Sequence, residues 1–335
     1  MELSVLRSAP PVQAVPPRMK ARQSSDFVRL DVEVTLPADL RHLGESIRAT
    51  ATGNRTGPVV VVLGGISGNR FVCSRPDGGA GWWPGLVGSG RAIDPARHLV
   101  VGLDFAADAN GKCAPSTEEQ ARVLSAALDA VGAPFVDVIV GASYGGMVAL
   151  AFAELFPERV GKLVVISAGA VPHAAASAAR ELQRRVVALG IESDRGEEAL
   201  AIARGMAMLT YRTSEEFAER FPGGIEETCP LTASAPGAYL RSRGQDFLAV
   251  MSPERFLSLS ASIDRHAIDP AKIGCPVLLI GAQSDQLVPP VQMKALASEL
   301  AGPAELHLLP CLYGHDMFLK EAEAVGRLVQ PFLGS

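Results

Sequence analysis

Val138-Ile139-Val140-Gly141-Ala142-Ser143-Tyr144-Gly145-Gly146-Met147-Val148-Ala149-Leu150 is the stretch whose reading decides the fold. A β-branched apolar run marks a buried strand, G-x-S-x-G follows at once, and small helix-forming residues continue the chain. This is the pattern of a nucleophile elbow. A serine on so sharp a strand-to-helix turn needs tiny neighbours, because a Cβ at position 141 or 145 would strike backbone across the bend. An ordinary tight turn is the competing reading of the five residues alone. The strand before and the helix after favour Ser143 as a candidate nucleophile.

Such a serine needs partners delivered by later strands. Pro276-Val277-Leu278-Leu279-Ile280-Gly281 reads as another buried strand, and it empties into the polar, proline-closed turn Ala282 to Pro290, which contains Asp285. His307-Leu308-Leu309-Pro310 reads as a last strand, and Tyr313-Gly314-His315-Asp316 is a loop leading into a final amphipathic helix. Asp285 is the candidate acid and His315 the candidate base. A serine hydroxyl becomes nucleophilic at neutral pH only when an imidazole takes its proton, and a carboxylate holds that imidazole in the right tautomer. The order Ser, Asp, His is that of an α/β-hydrolase sheet, whose successive strands bring the three groups to one carboxyl edge. A surface-loop histidine is the plain alternative for His315. Asp264 and Asp269 fall on a helix end before the strand, the wrong side of it for a triad.

Acyl transfer also requires N–H groups aimed at a developing oxyanion. Tyr144 follows the serine. Pro58 to Leu63 is a nearly continuous β-branched strand, and Gly64-Gly65-Ile66-Ser67-Gly68 after it allows close approach to a ligand, so Ile66 or Gly65 supplies the second amide. As a lone glycine cluster this is a turn; it has neither dinucleotide nor Walker spacing.

The 335 residues carry a net charge of −5 and no lysine-arginine stripe, which argues against a nucleic-acid partner. No apolar run approaches the roughly 18 residues of a membrane span. Residues 1–25 read as a loose, proline-bearing tail rather than a signal peptide, and the expected location is cytoplasmic. The five cysteines are scattered and never in a C-x-x-C pair, which disfavours a disulfide framework and a zinc site. No metal and no permanently bound cofactor is expected.

Strand-like runs at 28–36, 58–63, 98–104, 135–140, 162–167, 276–281 and 305–309 alternate mostly with helix-like segments. The fold class is therefore α/β, a mostly parallel sheet flanked by helices. Between 167 and 276 the rhythm breaks into helical stretches at 174–189, 196–210, 214–220, 237–249 and 253–265. We expect a hydrolase core at 26–172 and 266–335, with a helical cap at 173–265 above Ser143 that shapes a pocket and excludes water.

With triad and cap in view, the chain resembles the homoserine O-acyltransferase family, α/β-hydrolase-fold enzymes of methionine synthesis. The resemblance covers most of the chain after about residue 55. Its pieces are Gly65-Ile66-Ser67-Gly68, similar to the family's A-L-T-G loop, and Gly81-Trp82-Trp83 with Val87-Gly88-Ser89-Gly90-Arg91-Ala92-Ile93-Asp94, similar to its G-W-W…G-x-G-x-A-I-D signature. Gly145-Gly146-Met147, Ala203-Arg204, Leu209-Thr210-Tyr211-Arg212 and Gly314-His315-Asp316 add to it. It implies a ping-pong transfer with acyl-CoA and L-homoserine as small-molecule substrates: Ser143 accepts an acyl group from the thioester, and an amino-acid hydroxyl collects it. By this mapping Ile66 and Tyr144 give the oxyanion amides, Arg204, Tyr211 and Asp316 hold the acceptor, and the protein is a homodimer. Arg204 and Tyr211 lie seven apart, about two helical turns, and so share a helix face.

Tyr144 replaces the family's usual methionine, and the family's long insertion after the third strand is missing, so the donor is open between succinyl-CoA and acetyl-CoA. Arg70, just after the oxyanion loop, tilts the expectation towards succinyl, because a guanidinium suits a distal carboxylate. Serine as acceptor, an esterase with the same triad, and a non-catalytic binding protein are the alternatives.

Overall fold

A computed structural model describes residues 26–73, 75, 77–223 and 234–334. The expected tail at 1–25 and Cys229 lie outside the described residues. The strands are β1 (Phe27–Thr35), β2 (Ser46–Asn54), β3 (Val59–Leu63), β4 (Leu99–Leu103), β5 (Val136–Ala142), β6 (Val160–Ile166), β7 (Val277–Ala282) and β8 (Ala304–Leu309). They form one sheet in the order β1-β2-β4-β3-β5-β6-β7-β8. The hairpin β1-β2 and the pair β2-β4 are antiparallel, and every other neighbour is parallel.

Strand side chains alternate between two cores. Val61, Val101, Ile139, Val165 and Leu279 face α1 (Thr117–Val131), α2 (Tyr144–Leu155) and the apolar side of the cap. Val60, Val100, Val140, Val164 and Ile280 face the other way, against Trp83, Phe318 and Val325. Ser116 starts α1 with a reciprocal capping box to Glu119. Burial on both faces explains why these strands read as unbroken apolar runs.

Between β6 and β7 the described residues form the α-helices α3 (Ala174–Glu192), α4 (Gly196–Tyr211), α5 (Ser214–Arg220), α6 (Ala235–Leu248) and α7 (Pro253–Asp264). α3 and α4 form an antiparallel pair, with α6 packed on α4 and α7 on α3. After β7 come α8 (Pro290–Glu299), β8, the short α9 (Met317–Lys320) and α10 (Ala322–Gly334). Buried contacts fasten the cap to the core, among them Asp108 N–H donating to Ser258 Oγ at 3.1 Å. Tyr144 Oη and Ser262 Oγ lie 2.5 Å apart, Thr213 Oγ1 donates to Leu312 C=O at 2.6 Å, and Arg212 Nε donates to Asp316 Oδ2 at 2.6 Å.

Candidate active site

The end of β5 delivers Ser143 with φ 55° and ψ −121°, a left-handed backbone that a non-glycine residue holds only under constraint. Its neighbours permit this bend. A Cβ on Gly141 would lie 2.3 Å from Gly145 C=O, and one on Gly145 would lie 2.4 Å from Leu63 C=O. Ser143 N–H donates to Ile166 C=O at 2.8 Å, which pins the turn to β6.

The turn after β7 brings Asp285, and the loop after β8 brings His315. His315 Nε2 lies 2.8 Å from Ser143 Oγ, and Nδ1 lies 2.8 Å from Asp285 Oδ2. An ionised carboxylate only accepts, so Nδ1 carries the proton and Nε2 is left to accept from the serine hydroxyl. The other carboxylate oxygen of Asp285 accepts from the N–H groups of Leu287 and Val288 at 2.9 and 3.0 Å. Asp285 and His315 are both buried. Burial alone would lower the proton affinity of His315, but the charge of Asp285, its hydrogen bond and the charge of Asp316 together raise the pKa above its usual 6.5.

Tyr144 follows Ser143 directly, and Ile66 lines a cavity that Ser143 also lines. Tyr144 is the first residue of α2, where a backbone N–H has no intrahelical acceptor. Ile66 is a central residue of the turn closed by Gly68 N–H on Gly65 C=O at 2.7 Å. Gly145 N–H donates to Gly64 C=O at 2.9 Å and locks the two loops together. The Tyr144 side chain points away, edge-on to Phe105 and bonded to Ser262.

Two cavities meet at Ser143. One, of about 210 Å³, is lined by Gly65 to Gly68, Arg204, Tyr211, His315 and Asp316. Arg204 sits over the rings of Tyr211 and Phe247 at 5.2 and 4.8 Å, and Tyr211 lies 5.8 Å from the His315 ring. Asp316 Oδ2 accepts from Arg212 Nε, while Oδ1 has no hydrogen bond among the described residues. The other cavity runs from Ser143 towards α3, past Ser167, His173, Arg180 and Gln183.

Arg70 is corrected by the structure. Its side chain is committed to Asp104 at 2.7 Å and Asp31 at 3.2 Å, and it lines neither cavity at Ser143. Position 70 follows the oxyanion loop in sequence, but the chain has by then turned outward. Arg70 C=O accepts from Thr50 of β2 and Arg70 N–H donates to Asp104.

A family model described as the alpha/beta hydrolase fold matches residues 58–322. The chain is 38% identical over 309 residues to the homoserine O-succinyltransferase of Xanthomonas campestris pv. campestris, covering 90% of this chain and 83% of that one. It is 32% identical over 287 residues to the homoserine O-acetyltransferase of Thermus thermophilus, covering 76% and 73%. The chain belongs to the homoserine O-acyltransferase family. Among solved structures, the homoserine O-acetyltransferase of Bacillus anthracis superposes with a TM-score of 0.79 at 16% identity, covering 92% of this chain and 98% of that one. An esterase, E22, superposes with a TM-score of 0.78 at 18% identity, covering 92% and 100%, a likeness of fold.

The family's double tryptophan has a structural task here. Trp83 is buried, donates to Phe318 C=O at 3.0 Å and packs edge-on to the Phe318 ring, which itself stands edge-on to His315. It therefore braces the histidine loop from behind. Arg212, Ser262 and Arg180 take structural roles that no motif in the sequence assigns to them. Arg212 is 5% exposed and joins Asp316 to Glu216, which Arg220 also approaches at 3.5 Å. Its position just after Arg204 and Tyr211, at the cap helix end, is the signal that pointed there.

Proposed function

We propose that the protein transfers an acyl group, succinyl in preference to acetyl, from coenzyme A to the hydroxyl of L-homoserine through an ester on Ser143. The arrangement that carries this reading is the triad opening onto a cavity with a guanidinium, Arg204, and a carboxylate, Asp316. Those are the two charges that complement an amino-acid zwitterion. The succinyl preference follows the similarity to the Xanthomonas succinyltransferase.

Ser143 Oγ attacks the thioester carbon as His315 Nε2 takes its proton. Ile66 and Tyr144 N–H groups hold the oxyanion, and Asp285 stabilises the imidazolium. The C–S bond breaks, and the departing sulfur receives the proton. Homoserine then binds with its α-carboxylate on Arg204 and its α-ammonium on Asp316 Oδ1. Its hydroxyl gives a proton to His315 while attacking the ester, and Ser143 regains its hydrogen as the O-acyl product leaves. The cap keeps water from competing. The homodimer that family membership suggests would cover Leu182 and Leu189 on α3 and Ile202 and Leu209 on α4, exposed aliphatics spaced seven apart on two packed helices.

The test is thiol release from succinyl-CoA and acetyl-CoA, each with homoserine, with serine and with neither. Release that depends on homoserine is expected. Equal release without any acceptor would show an esterase, and a serine preference would move the acceptor, since one methylene is worth only about 1–3 kcal/mol.

A further inference from the structure

The cavity on the α3 side of Ser143 shares Tyr211, Ile263 and His315 with the first cavity, and beyond them its lining is its own. Met147 and Val288 line it near the serine, and Ser167, His173, Arg180 and Gln183 line it farther in. Atom centres have about 40 Å³ there, room for roughly three water-sized groups. A succinyl group exceeds an acetyl group by a methylene and a carboxylate, a fragment of about that size.

Two polar atoms in this cavity are unclaimed. Ser167 Oγ and His173 Nδ1 are buried without a hydrogen-bond partner among the described residues, although buried polar groups are nearly always bonded. Ser167 is fully buried and holds φ 49°, a second constrained serine at the end of the strand beside Ser143.

The cavity wall also carries spare positive charge. Arg180 donates from Nε and Nη2 to Asp264 Oδ1 at 2.9 and 2.6 Å and from Nη2 to Ser177 at 3.1 Å. Arg184 donates to Asp264 Oδ2 at 2.7 Å. Two guanidiniums thus share one carboxylate, and Arg180 Nη1 has no partner among the described residues. The Arg180 charge is felt at the triad, where it opposes protonation of His315.

We propose that this cavity receives the acyl chain, and that Arg180, helped by Ser167 Oγ and His173 Nδ1, recognises the terminal carboxylate of a dicarboxylic acyl group on Ser143. The inference rests on the acyl-serine reading above and adds the residue that selects the donor.

Wild type, Arg180→Met and Arg180→Lys are compared with succinyl-CoA, acetyl-CoA and butyryl-CoA at saturating homoserine. Butyryl matches succinyl in chain length without its charge. Loss of one charge-assisted pair lowers kcat/KM for succinyl-CoA by roughly 10- to 150-fold in Arg180→Met. The two neutral donors change little, because Arg184 keeps Asp264 paired, and lysine restores part of the loss. Unchanged succinyl use, or an equal fall on all three donors, overturns the assignment. So does a wild type that prefers butyryl to succinyl, a comparison that needs no variant to fold. A wild type that moves none of the three acyl groups to homoserine refutes the acyltransferase reading instead.

Discussion

Replacing Arg212 by methionine keeps the length of the side chain and removes its charge, at a position where the structure sets the cost. Arg212 Nε lies 2.6 Å from Asp316 Oδ2 and Nη1 lies 3.2 Å from Glu216 Oε1, with all three side chains at or below 13% exposure. Glu216 retains Arg220 at 3.5 Å, but that arginine is 43% exposed and its pull is screened. Asp316 keeps no cation among its described partners. Stranding one buried carboxylate costs about 3–5 kcal/mol, and the weakened Glu216 pair adds a fraction of that. For a chain of this size the loss corresponds to a fall in Tm of roughly 5 °C. Calorimetry on wild type, Arg212→Met, Asp316→Asn and the double variant closes a cycle, with an expected coupling of about 2 kcal/mol. A single variant that melts with wild type, or a cycle without coupling, would refute the idea that this ion pair holds the cap on the histidine loop.

His315 must be neutral to accept the serine proton, and its pKa is raised. The acid limb of kcat/KM should therefore have an apparent pKa above 6.5, with activity rising as pH rises through it. Asp285→Asn should lower kcat by about 10⁴-fold; stopped-flow thiol release across pH reads both. His266 is buried between Thr117 Oγ1 at 2.8 Å and Gly169 C=O at 3.0 Å, and burial lowers its pKa from 6.5 to about 4. The unfolded chain takes up the proton first, so about 3 kcal/mol of stability present above pH 6.5 should fade between pH 6.5 and 4; denaturant titrations in which His266→Gln keeps the same pH slope would contradict this. Arg204→Ala should raise KM for homoserine by roughly 10-fold or more while single-turnover acylation without acceptor stays intact.

Seven of the eight strands were legible, five of them, β3 to β7, because each is an apolar run buried on both faces. The eighth, β2, was not, since Ser-Ile-Arg-Ala-Thr-Ala-Thr-Gly-Asn from Ser46 to Asn54 has little apolar bulk. It is buried because β1 and β4 pair on either side of it, with Ala49 and Ala51 fully enclosed, and no local pattern encodes that. Ser143, Asp285 and His315 were legible because strand order fixes where their loops emerge. Arg70 misleads because it lies close to the oxyanion loop in sequence while its side chain pairs with Asp104 and Asp31, away from both cavities at Ser143. The Arg180–Asp264 pair joins α3 to α7 across 84 positions, and no spacing rule reaches so far.

The fastening of the cap through Tyr144, Thr213 and Arg212 decides how molecules come and go. A lid hinged like a door would have to break these buried contacts together, each worth about 1–3 kcal/mol or more, on every turnover. The cap is better likened to a riveted hatch, and traffic to Ser143 has to use the cavities that already meet there.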